Sequence, residues 1–193
     1  TSAAQTTIKG DDNDMPPKRS IIQHADIKAM WLSQFDLNGI YTSSGNQRPK
    51  ADFETKITKV LQNVKDMGFN TVFLQVRPNA DSMYPSDVYP PSSFVTGNHA
   101  KEFSYDPTAI ILELAKERGL SVHAWINPYR VTKAGDGEET IADSSIAKIW
   151  LNDGSGRAVN TAAGVYLNPA SADVKKLVLN GVKEVLNNHK VDG

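Results

Sequence analysis

Three short apolar runs set the pattern of the chain: residues 27–34 (IKAMWLSQ), 70–77 (NTVFLQVR) and 120–127 (LSVHAWIN). They are rich in β-branched and aromatic side chains and change character with period two, as strands do. Pro78 and Pro128 follow the second and third runs, and a proline ends ladder pairing because it has no N–H to donate. Between the runs the apolar positions recur at helical spacing. Over residues 51–67, Phe53, Ile57, Val60, Leu61, Val64 and Met67 share one side of a helix, and Gly68 stands where a helix end favours glycine. Asp106 and Pro107 predict the start of a second helix, the aspartate as cap and the proline in the first turn, where its missing N–H costs nothing. That helix ends at Arg118, before Gly119. Ser171 introduces a third helix through Leu186, with Val174, Leu177, Val178, Val182 and Val185 along one side.

The remaining stretches read as connections. Residues 36–49 are polar and rich in Gly, Ser and Asn, and predict a loop; residues 79–105, dense in Pro, Ser, Tyr and Asp, predict a longer one. Residues 132–164 form a second excursion with a short helix over 144–151. Residues 165–168 are a brief extended piece, and Val191-Asp192-Gly193 looks like a strand beginning. The order β-α-β-α-β-loop-α-β implies an α/β fold of parallel strands joined by helical crossovers. A closed (β/α)8 TIM-type barrel and an open doubly wound sheet both satisfy it. No Gly-rich phosphate turn follows any strand, which weakens the dinucleotide-binding form of the open sheet. The loops after strands are long and those before them short, as in barrel enzymes, whose working loops lie at the C-terminal ends of the strands. A complete barrel needs roughly 250 residues, so the 193 residues here predict three to four strands, about the first half. Alone, such a half would leave strand edges unpaired.

Alternation within the strands separates two faces. Val72, Leu74 and Val76 share one side of the second strand, and Phe73, Gln75 and Arg77 the other; in the third, Val122, Ala124 and Ile126 oppose His123, Trp125 and Asn127. The first strand sets Met30 and Leu32 against Trp31 and Ser33. The aliphatic face suits packing under helices. The other mixes aromatic with polar groups, which must find hydrogen-bond partners if buried. Those partners are either one another, in a polar barrel core, or a ligand. Sugar is a ligand of the right kind, because a pyranose has apolar C–H faces and a rim of hydroxyls. Trp31, Tyr84, Trp125 and Tyr129 would stack on it; Gln75, Arg77, Asn127 and Arg130 would hydrogen-bond it.

Composition narrows the partners. With 21 basic and 22 acidic residues, and no Lys/Arg block, there is nothing to hold a phosphate backbone. The absence of cysteine removes disulfides, thiolate nucleophiles and thiolate metal sites. No run approaches the ~18 apolar residues of a membrane span. The opening through Asp14 is small, polar and acidic, and residues 1–20 predict a flexible tether preceding a barrel unit over residues 21–193. A tether of this kind commonly follows a cleaved export or lipoprotein signal.

Gln75-Val76-Arg77-Pro78, Asp81-Ser82-Met83-Tyr84-Pro85-Ser86, Pro90-Pro91-Ser92, Thr96-Gly97, Tyr105-Asp106-Pro107, His123-Ala124-Trp125-Ile126-Asn127-Pro128-Tyr129-Arg130 and Tyr166-Leu167-Asn168-Pro169 occur in that order. In order and spacing they resemble the glycosyl-hydrolase-10-like family, over residues 27–193. The resemblance implies a (β/α)8 barrel in an exported or envelope-attached bacterial glycoside hydrolase, with peptidoglycan-type strands as the leading substrate class and no cofactor. The candidate glycan-binding positions are Trp31, Gln75, Arg77, Asp81, Tyr84, His123, Trp125, Asn127, Tyr129, Arg130 and Asn168. Family members continue past the equivalent of Val191-Asp192-Gly193 into a segment like Ile-His-Phe-Asp-Asp-Tyr, so the catalytic carboxylates are expected C-terminal to Gly193.

Glycoside cleavage normally uses two carboxyl groups whose spacing sets the stereochemistry. Of the acids present, Asp106 reads as a helix cap, Asp192 as structural at a strand base, and Asp36 as a loop residue; Asp81 would pair with Arg77 or touch a sugar hydroxyl. His123 has no second His at ligand spacing, so no metal is expected. No Gly-x-Ser-x-Gly elbow marks a serine hydrolase. The rival reading is a carbohydrate-binding barrel, or a fragment, without activity of its own.

Overall fold

A computed structural model of the protein describes Ile22 and residues 24–193. The expected tether over residues 1–20 lies outside the described residues. The chain opens with β1 (Ala29–Leu32) and passes directly into α1 (Gln34–Tyr41), a short hairpin of β2 (Thr42–Ser43) and β3 (Asn46–Gln47), and α2 (Lys50–Asp66). The expectation of a loop over 36–49 is corrected here. Ser33 caps α1: its hydroxyl accepts from Asp36 N–H, while the Asp36 carboxylate accepts from Ser33 N–H at 2.8 Å. That reciprocal pair satisfies donors that a helix start otherwise leaves free. The Ser33 hydroxyl also donates to the Asp36 carboxylate at 2.6 Å, and this bond, with the one from Ser33 N–H, holds the carboxyl below the usual carboxylate range.

β4 (Thr71–Arg77) and β5 (Ser121–Ile126) match the predicted second and third strands, with α4 (Pro107–Glu117) between them. Asp106 is the cap of α4, accepting from Ala109 N–H at 3.0 Å, as its sequence context predicts. Gly68 and Gly119 follow α2 and α4 with φ of 84° and 65°, a left-handed conformation in which a side chain would be strained. The loop after β4 contains one helical turn, α3 (Ser93–Thr96).

After β5 come a 3-10 turn at Glu138–Thr140, α5 (Ile146–Asn152), β6 (Ala158–Thr161), β7 (Gly164–Leu167) and α6 (Ala172–Asn188). The extended piece at 165–168 is therefore half of an antiparallel hairpin, β6 with β7, outside the parallel sheet. Residues 191–193 do continue the sheet. Asp192 N–H donates to Val122 O at 2.7 Å and Ala124 N–H donates to Gly193 O at 2.8 Å, the slanted pattern of a parallel neighbour. Asp192 also ties the chain's entry to this point, accepting from Ile22 N–H at 2.7 Å and Val122 N–H at 2.8 Å.

The parallel sheet runs β1-β4-β5, each pair parallel. Every helical crossover moves to the next strand in the same direction, whereas a doubly wound sheet reverses at a switch point. Only one face is packed under helices. Val72, Leu74, Val76 and Val122 meet Phe53, Ile57 and Leu61 of α2 and Ile111, Leu112 and Ala115 of α4 in one buried cluster. Each such side chain contributes ~1.5–3 kcal/mol on burial. A second cluster, including Val131, Ile141, Trp150, Leu167 and Val174, lies under α5 and the β6–β7 hairpin. The arrangement is that of the opening βα units of a (β/α)8 barrel.

Candidate functional site

The face of the sheet turned away from the helices carries a row of rings. Trp31 stacks on Phe73 with centroids 4.5 Å apart, Phe73 meets His123 at 5.4 Å, and Trp31 meets Trp125 edge to face at 5.0 Å. Trp31 is 56% exposed and Trp125 and His123 are half-buried, His123 lying against the Gly193 backbone. The period-two pattern thus gathers Trp31, His123 and Trp125 as expected.

At the C-terminal end of the row, Trp125 Nε1–H donates to Asn127 Oδ1 at 2.9 Å, and Asn127 Nδ2–H donates to Pro78 O at 2.8 Å. Asn127 therefore fixes the tilt of the Trp125 ring against the loop after β4. Gln75 is buried, and its Oε1 accepts from Gln34 N–H at 3.1 Å, joining the end of β4 to the start of α1.

The first turn of α1 and the loops after β4 and β5 enclose a cleft of about 220 Å³ whose lining includes Gln34, Phe35, Asp81, His99 and Arg130. Asp81 is buried, with Oδ1 accepting from Asn79 N–H at 3.1 Å. Burial pushes its carboxyl pKa up, against the opposing pull of Ser92 and His99. Asp81 does not pair with Arg77, whose guanidinium interacts with Tyr89 instead. The expected pair fails because the two side chains leave the strand end on different sides.

Arg77 itself is a correction. A register shift between Gln75 and Arg77 pairs Arg77 with Ile126, a residue of the helix-facing side, so an extra residue in β4 turns Arg77 outward. The guanidinium is buried over the Tyr89 ring, 4.3 Å from its centroid, and a Cβ built on Gly181 of α6 would fall 2.4 Å from Nη1. Tyr84 is in the same layer, fully buried and edge-on to His189 at 4.8 Å. Neither side chain can be reached by a glycan. Asn168 is also corrected: Nδ2–H donates to Gly156 O at 3.1 Å and Oδ1 accepts from Ala170 N–H at 3.0 Å, so its amide shapes the turn into α6. Tyr129 packs against the second core, while Arg130, one residue on, lines the cleft.

Gln34, Phe35 and His99 were missed by sequence reasoning. The signal for the first two was present in Ser33-x-x-Asp36, which starts a helix at the very end of β1 and so presents its first residues to the mouth. His99 carries no such signal. Among the described residues, no three His, Asp or Glu side chains gather where they could hold a metal ion, and no helix is long and apolar enough to cross a membrane.

Parallel strands joined by helical crossovers, with the long loops following the strands, define the opening part of a (β/α)8 barrel. The chain belongs to the family described as Glycosyl hydrolase-like 10, whose profile matches residues 26–193. It is 30% identical over 172 residues to "Glycosyl hydrolase YngK" of Bacillus subtilis (strain 168), covering 86% of this chain and 32% of that protein. It is also 30% identical over 195 residues to "Glycosyl hydrolase DigH" of Escherichia coli (strain K12), covering 92% of this chain and 43% of that protein. The chain thus spans less than half the length of these relatives.

Among solved structures it is similar to an α-galactosidase from Thermus thermophilus in complex with p-nitrophenyl α-D-galactopyranoside, at 22% identity and a TM-score of 0.42, over 69% of this chain and 25% of that one. A cycloalternan-forming enzyme from Listeria monocytogenes in complex with a pentasaccharide substrate is similar at 11% identity and a TM-score of 0.46, over 90% of this chain and 17% of that one.

Proposed function

We propose that this chain forms the N-terminal half-barrel of a glycoside hydrolase acting on bacterial envelope glycan, with peptidoglycan-type strands as substrate. The observation that carries the reading is the row Trp31, Phe73, His123 and Trp125 on the face turned away from the helices, running toward the C-terminal ends of the strands. Rings of this kind stack on the C–H face of a sugar, and fixed donors and acceptors beside them meet its hydroxyls. Family membership and the names of the relatives support hydrolysis. In this reading the half-barrel binds and orients the glycan, while the two carboxyl groups that break the glycosidic bond are contributed by strands following Gly193. Asp81 serves as a binding group.

The test is incubation of the full-length protein with solubilised peptidoglycan glycan strands, followed by assay of new reducing ends. Their appearance is expected; binding without new ends would assign a carbohydrate-binding barrel instead. We also propose that the protein is exported, on the small, polar, tether-like composition of residues 1–20. Cell fractionation that recovers it only in the cytosol would overturn that placement.

A further inference from the structure

The cleft at the first turn of α1 has a feature that a merely structural hollow would not keep. Three of the side chains lining it carry buried polar atoms without an aligned hydrogen-bond partner: Gln34 Oε1, the Nε of Arg130, and Asp81 Oδ2, on whose carboxyl the Ser92 hydroxyl pulls. An unsatisfied buried group costs about 1–3 kcal/mol, and these three come from the first turn of α1 and from the loops after β4 and β5. Their chemistry is complementary to hydroxyls. Gln34 and Asp81 offer acceptors and Arg130 a donor, and a hydroxyl both donates and accepts.

An apolar surface stands next to them. Phe35 is 66% exposed and is held edge to face against Phe94 at 5.8 Å. A large exposed ring beside a polar floor matches a pyranose, with its C–H face toward the ring and its hydroxyls inward. The size limits the occupant. Drug-sized ligands take clefts of roughly 300–1,000 Å³, and this one holds about 220 Å³, which suits one sugar ring rather than an oligosaccharide. Gln34 joins the cleft to the aromatic row through its backbone bond to Gln75.

We propose that this cleft is a one-ring sugar subsite at the edge of the barrel mouth, in which Gln34, Asp81 and Arg130 bind hydroxyls and Phe35 covers the ring. It receives the glycan unit flanking those that lie over Trp31 and Trp125, and in that respect rests on the reading given above.

The test uses the full-length protein. Calorimetric titration with solubilised peptidoglycan glycan strands is expected to give about tenfold weaker binding for Phe35→Ala and for Arg130→Gln. Phe35 is exposed, so its variant folds. In parallel, the Arg130 Nε–H resonance of labelled protein is followed on addition of glucose, galactose and N-acetylglucosamine, and at least one is expected to shift it. If Trp125→Ala weakens strand binding but Phe35→Ala and Arg130→Gln do not, and no sugar moves Arg130, the subsite is overturned while the glycan reading stands. If the strands fail to bind but a monosaccharide moves Arg130 and Phe35→Ala abolishes that response, the subsite stands and the substrate assignment falls. If neither strands nor sugars act, the cleft holds only water and both fall.

Discussion

The rings of Trp31 and Trp125 meet edge to face 5.0 Å apart although their strands are not neighbours, since β4 lies between β1 and β5. Strands two apart in a flat sheet stand ~9.6 Å from each other. The two indoles therefore lean toward each other across β4, which puts two platforms side by side on the face turned away from the helices. In the full-length protein, Trp125→Ala is expected to weaken binding of solubilised peptidoglycan strands more than tenfold, a loss of about 1.4 kcal/mol or more, with little change in melting temperature. Titration and thermal unfolding of the same variant check this. A large drop in melting temperature with unchanged affinity would make the row a core element.

Arg77 is expected to behave in the opposite way. Its guanidinium is enclosed by Tyr89 and α6, so Arg77→Ala removes a fully buried side chain and should cost roughly 2–5 kcal/mol of stability. Arg77→Met keeps the aliphatic stem and should cost less. Urea unfolding ranks the three proteins. Loss of glycan binding without loss of stability would return Arg77 to the mouth.

The contrast between Trp125 and Arg77 shows what was legible. Period two assigned Val72, Leu74 and Val122 to the helices and Trp31, His123 and Trp125 to the open face because an unbroken strand alternates by geometry. Arg77 was misplaced because one extra residue in β4 shifts the register after Gln75, and a bulge with no glycine leaves no local mark. The helix α1 was hidden by Asn38 and Gly39, poor helix formers, although Ser33 and Asp36 announced it. The cleft was not legible. Gln34, Asp81 and Arg130 are far apart in the chain, and only the convergence of the first turn of α1 with two loops brings them together.

Two helical glycines provide an opposed pair of outcomes. A Cβ on Gly181 would fall 2.4 Å from both Arg77 Nη1 and Tyr89 Cε2. The Tyr89 ring is buried and tethered by its hydroxyl, which donates to Leu177 O at 3.2 Å, so it cannot retreat cheaply. Gly181→Ala should destabilise by about 1–3 kcal/mol through overpacking, despite alanine's better helix propensity. Gly39 in α1 has no atom within 4 Å of the same position, and Gly39→Ala should stabilise by up to ~1 kcal/mol. Denaturant midpoints of the two variants read both signs. Two shifts in the same direction would mean that close packing against α6 is absent.

Asp81 sets a pH dependence whose sign follows from burial. Its folded-state pKa is raised above 3.8 chiefly by loss of hydration. On the acid side of 3.8 the carboxyl is protonated whether the chain is folded or not, and burial carries no charge penalty. As pH climbs through 3.8 the unfolded chain releases this proton first, so the unfolded state binds fewer protons and stability falls until pH passes the raised folded value. Above that value the whole penalty is present. Asp81→Asn keeps an Oδ1 acceptor for Asn79 N–H and removes the titration. The melting temperature of the variant minus that of wild type should therefore rise from near zero on the acid side of 3.8 to a plateau toward neutral pH. A difference that stays flat or reverses would mean that the carboxylate is held by a cation at the cleft, with His99 the candidate already pulling on it, and that burial is not what governs it.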